Sequence, residues 1–422
     1  MKNRNKLFGI IVFITIIGFM AIGCSETPAG ENNGGDEEGK IIPPGPDATS
    51  LSILPTTRVL TLGETVKPTV TVAPSDAPII NWVSSDTNVA TVSSDGTISS
   101  KSIGRTVVTV TAKGGIDRTC TVTVAPDIKT VAGFGYRFNV SSYGDGRFVA
   151  GGNNGIIAWS DDGINWTEVD STLPDDLNTI IYAIAYGNGI FVAAARENIG
   201  NFNFRGRLIW SDDRGESWQR GTGIGDNTQF LSVVFGNNVF LAGGSGEQTV
   251  ISQDGKTWKT AATGIFGDNH YSVSSLAYGN NKFIAARDVV AGMAYSSDNG
   301  SSWTIIGAEK RPFGNIDIID IVFGNGKFVA ISDSSNNNVA YSEDGENWTV
   351  LTAPFSVNRP RCIAYGNGIF IGGGNNRFEY SRDGISWATF GGSGNSGWVV
   401  IGGGKFVGLS GANLIYAPIV LE

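Results

Sequence analysis

Asp162, Asp213, Asp254, Asp298, Asp344 and Asp383 recur in one phrase: Ser, then Asp two residues on, then Gly, then Trp. It first reads Ser160-Asp161-Asp162-Gly163-Ile164-Asn165-Trp166, and it returns at Ser211–Trp218, Ser252–Trp258, Ser296–Trp303, Ser342–Trp348 and Ser381–Trp387. Repeated carboxylates suggest calcium ligation or acid–base chemistry. Their spacing argues against both. Intervals of 51, 41, 44, 46 and 39 residues put one carboxylate in each of six equivalent units rather than several in one site. An Asp in a tight turn accepts hydrogen bonds from backbone N–H groups two or three residues on, and the Gly takes the positive φ. The Trp then packs its ring at the seam between sheets. The six Asp, with Trp166, Trp218, Trp258, Trp303, Trp348 and Trp387, therefore read as turn builders.

Other chemistry is sparse. The single histidine, His270, excludes a multi-His metal site, and three cysteines are too few for a disulfide scaffold. No metal and no cofactor is expected. Candidate binding residues fall in the variable stretches between repeats: Arg137, Tyr182, Arg196, Phe202, Phe204, Arg205, Arg207, Tyr271, Arg377 and Trp398. The stretch from Glu197 to Arg207 reads as the longest loop and mixes guanidinium with aromatic groups. Asp320 breaks a pattern more sharply. It stands where other units have Val140, Ala183, Ser232, Ser275 and Cys362, and a buried carboxylate without partners is costly. One residue earlier in its own unit, Arg361 replaces Tyr182, Leu231, Ser274 and Ile319. Asp320 and Arg361 are expected to pair across adjacent units or to line a central channel.

The elements that must position these residues are strands. Gly is abundant at 59, only 16% of residues are charged, and short Val/Ile/Phe/Tyr runs alternate with Gly, Asn and Asp. Ahead of each Asp phrase lies a second one, as in Tyr143-Gly144-Asp145-Gly146-Arg147-Phe148 and Tyr186-Gly187-Asn188-Gly189-Ile190-Phe191. It occurs seven times, the last as Gly402-Gly403-Gly404-Lys405-Phe406. Gly-Asn and Asp-Gly turns suit hairpins. Each unit thus reads as four strands, with both stereotyped turns at one end and the variable loops at the other. The fold class expected is all-β, a small β-sandwich followed by a seven-bladed β-propeller. The last unit lacks an outer strand. Ile128-Lys129-Thr130-Val131-Ala132 is expected to supply it, with Ile419-Val420-Leu421 as the competitor.

The Ser-x-Asp-(x)-Gly-x-x-Trp phrase resembles the Asp-box, or BNR, repeat of sialidase-like propellers, across nearly all of residues 130–417. The resemblance implies that the Asp turns lie opposite the active face. It also implies, for a sialidase, three arginines on the open face, a Tyr activated by a Glu, an acid Asp and an Arg-Ile-Pro phrase near the first strand. Tyr136-Arg137-Phe138-Asn139 lacks that phrase. Arginines 137, 205, 207, 287, 361 and 377 are available, but no spacing selects three of them.

Upstream, Trp82-Val83-Ser84-Ser85-Asp86, Val89-Ala90-Thr91-Val92, Asp95-Gly96-Thr97-Ile98 and Thr106-Val107-Val108-Thr109-Val110 resemble the bacterial Ig-like group 2 module, with Trp82 as its core tryptophan and Cys120 as a buried thiol. Lys2, Arg4 and Lys6 precede an uncharged run from Leu7 to Gly23, and Ala21-Ile22-Gly23-Cys24 resembles a bacterial lipobox. That implies lipidation of Cys24. The organisation expected is a signal peptide over 1–23, a disordered tether over 24–49, an Ig-like domain over 50–125 and the propeller over 126–422.

The net charge of −9 argues against nucleic acid as a partner. The reading that follows is a lipid-anchored cell-envelope protein. Its propeller would bind a glycan or protein partner through the variable face, with the Ig-like domain as spacer and the membrane reached through the N-terminal lipid. A sialidase-like glycoside hydrolase and a periplasmic scaffold or assembly factor are the alternatives.

Overall fold

The computed structural model describes residues 43–131, 138–176, 178–200, 203–225, 228–267, 271–287, 292–334, 338–352, 360–374, 377–390, 396–410 and 413–419. Cys24, Arg137, Phe202 and His270 lie outside them. Every regular element described is a strand.

Residues 50–125 form the Ig-like part. A four-stranded sheet runs in the order Thr57–Thr61, Ile116–Ala125, Gly104–Ala112, Ile79–Ser84, its first pair parallel. Alternation along Gly104–Ala112 buries Thr106, Val108, Val110 and Ala112. These pack with Leu60, Val122, Val124 and Cys120, which is 1% exposed. Trp82 is half-buried against this core, its ring over Gly96. The alternating run from Val66 to Val72 is broken into Thr65–Val66 and Thr69–Ala73, which pair with different partners. Pro68, between them, has no N–H to continue a ladder.

Among the described residues, seven four-stranded antiparallel sheets follow. The first is Phe138–Gly144, Arg147–Gly152, Ile157–Ser160 and Thr167–Val169, and five more repeat that order along the chain. The last combines Ser396–Gly402, Lys405–Ser410 and Asn413–Pro418 with Lys129–Val131, whose register sets Lys129 opposite Tyr416 and Val131 opposite Leu414. Ile419 does not take that edge; its N–H donates to Gly404 O at 2.9 Å. Each sheet's first strand touches the first strand of the next, and Phe138–Gly144 also touches Ser396–Gly402. The arrangement is propeller-like. The second strands, buried along most of their length as in Phe191–Ala195 and Phe328–Ser332, carry the apolar core of each sheet.

The long loop expected between Glu197 and Arg207 is mostly strand. Ile190–Asn198 and Phe204–Ser211 stay paired to their ends, with Glu197 opposite Arg205 and Asn198 opposite Phe204.

The two stereotyped turns share one end and are stitched together across sheets. Asn280 Nδ2 donates to Glu343 O at 2.6 Å, and Asn325 Nδ2 donates to Arg382 O at 2.5 Å. Arg147, beneath the first hairpin, joins Asp161 at 2.8 Å and Glu216 of the next sheet's turn at 2.9 Å. Its guanidinium lies 3.7 Å from the Trp159 ring centroid.

Candidate functional site

The Asp turns are closed units. Asp162 Oδ1 accepts from Ile164 N–H, Asn165 N–H and Ser160 Oγ at 2.8, 2.8 and 2.9 Å. Ser160 Oγ accepts from Gly163 N–H, and Trp166 Nε1–H donates to Gly163 O at 3.2 Å. Burial raises the Asp162 pKa, but these donors outweigh it and hold the carboxyl down to about 2. Asp213, Asp254, Asp298, Asp344 and Asp383 are lowered by the same balance. Among the described residues, no group of three or more His, Cys, Asp and Glu is placed to hold a metal ion.

A different set converges at the centre. A cavity of about 290 Å³ lies where the first strands meet, near the ends at which the variable loops enter. Tyr182, Asp320, Arg361 and Trp398, named from sequence, all line it. A backbone irregularity builds its rim. In five sheets the register slips by one residue near the start of the first strand, at Asn139, Tyr182, Leu231, Ser274 and Ile319. Such a bulge leaves one residue unpaired and re-aims its side chain. All five line the cavity. Arg361 holds the same place in the sixth sheet, its N–H donating to Gly373 O at 2.8 Å opposite the Cys362 position. In the last sheet the irregularity falls at Gly397 and Trp398. Trp398 is 3% exposed and donates Nε1–H to Phe138 O, so it is wall rather than a free platform.

One tier below, the small residues have a job. The N–H groups that follow the bulges turn to the neighbouring sheet. Ser232 Oγ accepts from Leu276 N–H at 3.0 Å, and Ser275 Oγ accepts from Ile321 N–H at 3.2 Å. Asp320 continues the series. Burial is the largest influence on it and pushes its pKa up to about 6; hydrogen bonds from Ile321 N–H, Ser275 Oγ and the backbone of Ile363 oppose that. Asp320 is half-buried and lines the cavity. The neighbouring Cys362 thiol is pushed up to about 12 by burial first and by Asp320 second. Asp320 and Arg361 thus share the cavity, but no ion pair joins them; Asp320 is held by a hydroxyl and by backbone, and Arg361 stays exposed at the rim.

The remaining candidates are engaged elsewhere. Glu197, nearly buried, binds Arg207 Nε at 2.6 Å and Arg220 Nη2 at 2.7 Å. Arg196 lies 4.4 Å from the Phe204 ring and 5.8 Å from that of Tyr182. Arg205 is partly buried on the same hairpin. Arg287 stacks 4.7 Å from Tyr271 and stands 3.8 Å from the buried Glu247. Arg377 is exposed at the outer end of the sixth sheet's hairpin, opposite Gly374. Of the six arginines named as a possible substrate clamp, Arg361 is the one among the described residues that lines the cavity.

On the turn face the Ig-like part is docked. Ile103 is fully buried among Phe378, Tyr380, Phe406 and Ile419 of the repeats. Its N–H donates to Ile419 O at 3.2 Å, and its carbonyl accepts from Arg382 Nη2 at 2.9 Å. Arg382, within the sixth Asp turn, also binds Ser102 Oγ.

Residues 47–124 match the bacterial Ig-like domain (group 2). No curated protein matches the chain. Among solved structures, YCF48 bound to D1 peptide superposes with a TM-score of 0.52 at 12% identity, covering 70% of this chain and 97% of that one. The WD40 repeats of RRP9 give 0.52 at 12% over 70% and 99%. The GH74 xyloglucanase from Xanthomonas campestris gives 0.53 at 14% over 68% and 53%. At such identities the likeness is one of fold, and that fold is propeller-like.

Proposed function

We propose that the chain is a lipid-anchored cell-envelope protein. In this reading a seven-bladed propeller of Asp-box repeats, carried on an Ig-like base, binds a glycan or protein partner through its variable-loop face. The observation that carries this reading is the difference between the two ends of the ring. The turn end is taken up by its own cross-sheet hydrogen bonds and, at the sixth Asp turn, by the docked base, whose Ile103 carbonyl accepts from Arg382. The other end opens onto a cavity rimmed by one side chain from each of six sheets, five of them at bulges.

The anchor rests on Ala21-Ile22-Gly23-Cys24. Labelling with a lipid precursor checks it, and a Cys24→Ala protein that still labels contradicts it. Binding is favoured over sialidase-like hydrolysis because Arg207 and Arg287 face buried glutamates rather than the central cavity. A glycan array together with a fluorogenic sialoside assay on residues 126–422, run beside the full chain, tests the choice. Turnover that disappears on substituting the arginines would reverse it. Proteolysis of intact cells separates a surface-exposed head from a periplasmic scaffold.

A further inference from the structure

Resting on a ligand-binding role for the variable face, we infer that the five bulge positions and Arg361, which holds the same place in the sixth sheet, are the specificity-determining ring of the propeller, and that the ring takes the carboxylate end of a peptide. The scaffold around these positions is nearly constant: a small or apolar residue follows in five sheets and Asp320 in the other, and the aromatic of the hairpin phrase comes three residues after it. The bulge itself carries Asn139, Tyr182, Leu231, Ser274, Ile319 and Arg361, six different side chains in one structural place. If the bulge served only to bend the strand, side-chain type there would be constrained by packing. Instead each side chain is half-buried or exposed and faces one lumen.

The chemistry of the ring selects the ligand. Its one cation, Arg361, is exposed and pairs with no acid of the described residues, so a carboxylate meets a guanidinium with its fork free. Beside it in ring order come Ile319, 36% exposed, then the small Ser274, then Leu231. Ser274 Oγ donates to Ala286 O within its own sheet. That leaves a low point between two aliphatic walls, suited to a branched apolar side chain. An acidic sugar would also satisfy Arg361, but sugar faces favour aromatic platforms. The ring's one tyrosine, Tyr182, already has the Arg196 guanidinium 5.8 Å from its centroid. The cavity of about 290 Å³ has a lining that spans at most three consecutive residues of each sheet, beginning at the ring position, room for a chain end rather than a chain passing through. Asp320, deeper, would repel a carboxylate and keeps it at the rim.

The test uses the full chain and a randomised hexapeptide library in two forms, with free carboxylate ends and with amidated ends. Enrichment of free-carboxylate peptides carrying an aliphatic last or next-to-last residue is expected. For the best peptide, Arg361→Gln should weaken binding about tenfold or more and abolish the preference for carboxylate over amide. Ile319→Ser should weaken binding while keeping that preference. Unchanged thermal melting of both variants shows that they fold. Equal enrichment of amidated peptides, or an Arg361→Gln protein that still prefers carboxylate, overturns the inference. So does selective capture of uronic- or sialic-acid oligosaccharides by the ring, although the broader binding role then survives. A ligand that binds the variable loops but ignores every ring substitution likewise sinks the ring alone. No binding at that face by any probe removes the broader role as well.

Discussion

The ring of Tyr143, in the first sheet, lies against Gly402, in the last: a Cβ built on Gly402 would stand 2.1 Å from Tyr143 Cγ. The same contact links Gly144 to Tyr186 in the next sheet, so the seam between chain ends repeats the seams within the chain. Together with Lys129–Val131 on the outer edge, it ties residues near 130 to residues near 415. Gly402→Ala is therefore expected to destabilise by about 1–3 kcal/mol through overpacking. Gly225→Ala, where nothing stands within 4 Å, should stay within about 0.5 kcal/mol. Urea unfolding of both variants checks this, and equal effects would contradict the seam.

The Asp turns make an acid-sensitive prediction. Asp162 is lowered from 3.8 to about 2, so its contribution is complete above pH 3.8 and is lost as pH falls towards 2. Asp162→Asn keeps an acceptor oxygen but loses the charge. It should cost about 1–2 kcal/mol at pH 7 and progressively less below pH 3. Chelation by EDTA should leave the melting temperature unchanged, since the Oδ1 of Asp162 is already filled by N–H and O–H donors.

Docking of the Ig-like part hangs on Ile103 and Arg382. Truncating a fully buried isoleucine costs about 2–5 kcal/mol. Ile103→Ala with Arg382→Ala should convert one unfolding transition of residues 43–422 into two and enlarge the radius of gyration in small-angle scattering. An unchanged profile would mean that the contact does not hold the two parts together.

Asp320 has the opposite sign from the turn aspartates. With its pKa raised to about 6 from 3.8, it is protonated in the fold over a range where the unfolded chain has it ionised. Its contribution is most favourable below pH 3.8, declines as pH rises to 6, and leaves a penalty above. Asp320→Asn can still accept from Ser275 and Ile321. It should therefore gain stability at pH 8 relative to pH 4, by about 3 kcal/mol at most. A gain independent of pH would contradict the buried-carboxylate account.

The turns were legible from residue types because their chemistry is local: Asp, Gly and Trp act within seven or eight positions of chain. The edge strand at Lys129–Val131 was legible too, by counting four strands per unit. The bulge was not. Asn139, Tyr182, Leu231, Ser274 and Ile319 share no residue type, and the slip shows only in the register. Glu197 to Arg207 reads as a polar loop because cross-strand partners such as Glu197 with Arg207 are invisible until the hairpin is folded. Asp320 stood out correctly as an anomaly. Its partners are a serine and backbone N–H groups, which no pairing of charged residue types could have suggested. Ile103 sits in a polar turn, Lys101-Ser102-Ile103-Gly104, and nothing local marks it as an interface residue.

The claim that the partner meets the cavity rim rather than the turn face is most directly tested by photo-crosslinking in cells that express the full chain. A benzophenone side chain is placed at Ile319, on the rim, or at Asn280, on the stitched turn face. Adducts from position 319 and none from position 280 are the expected result. Adducts from position 280 with none from 319 would contradict it.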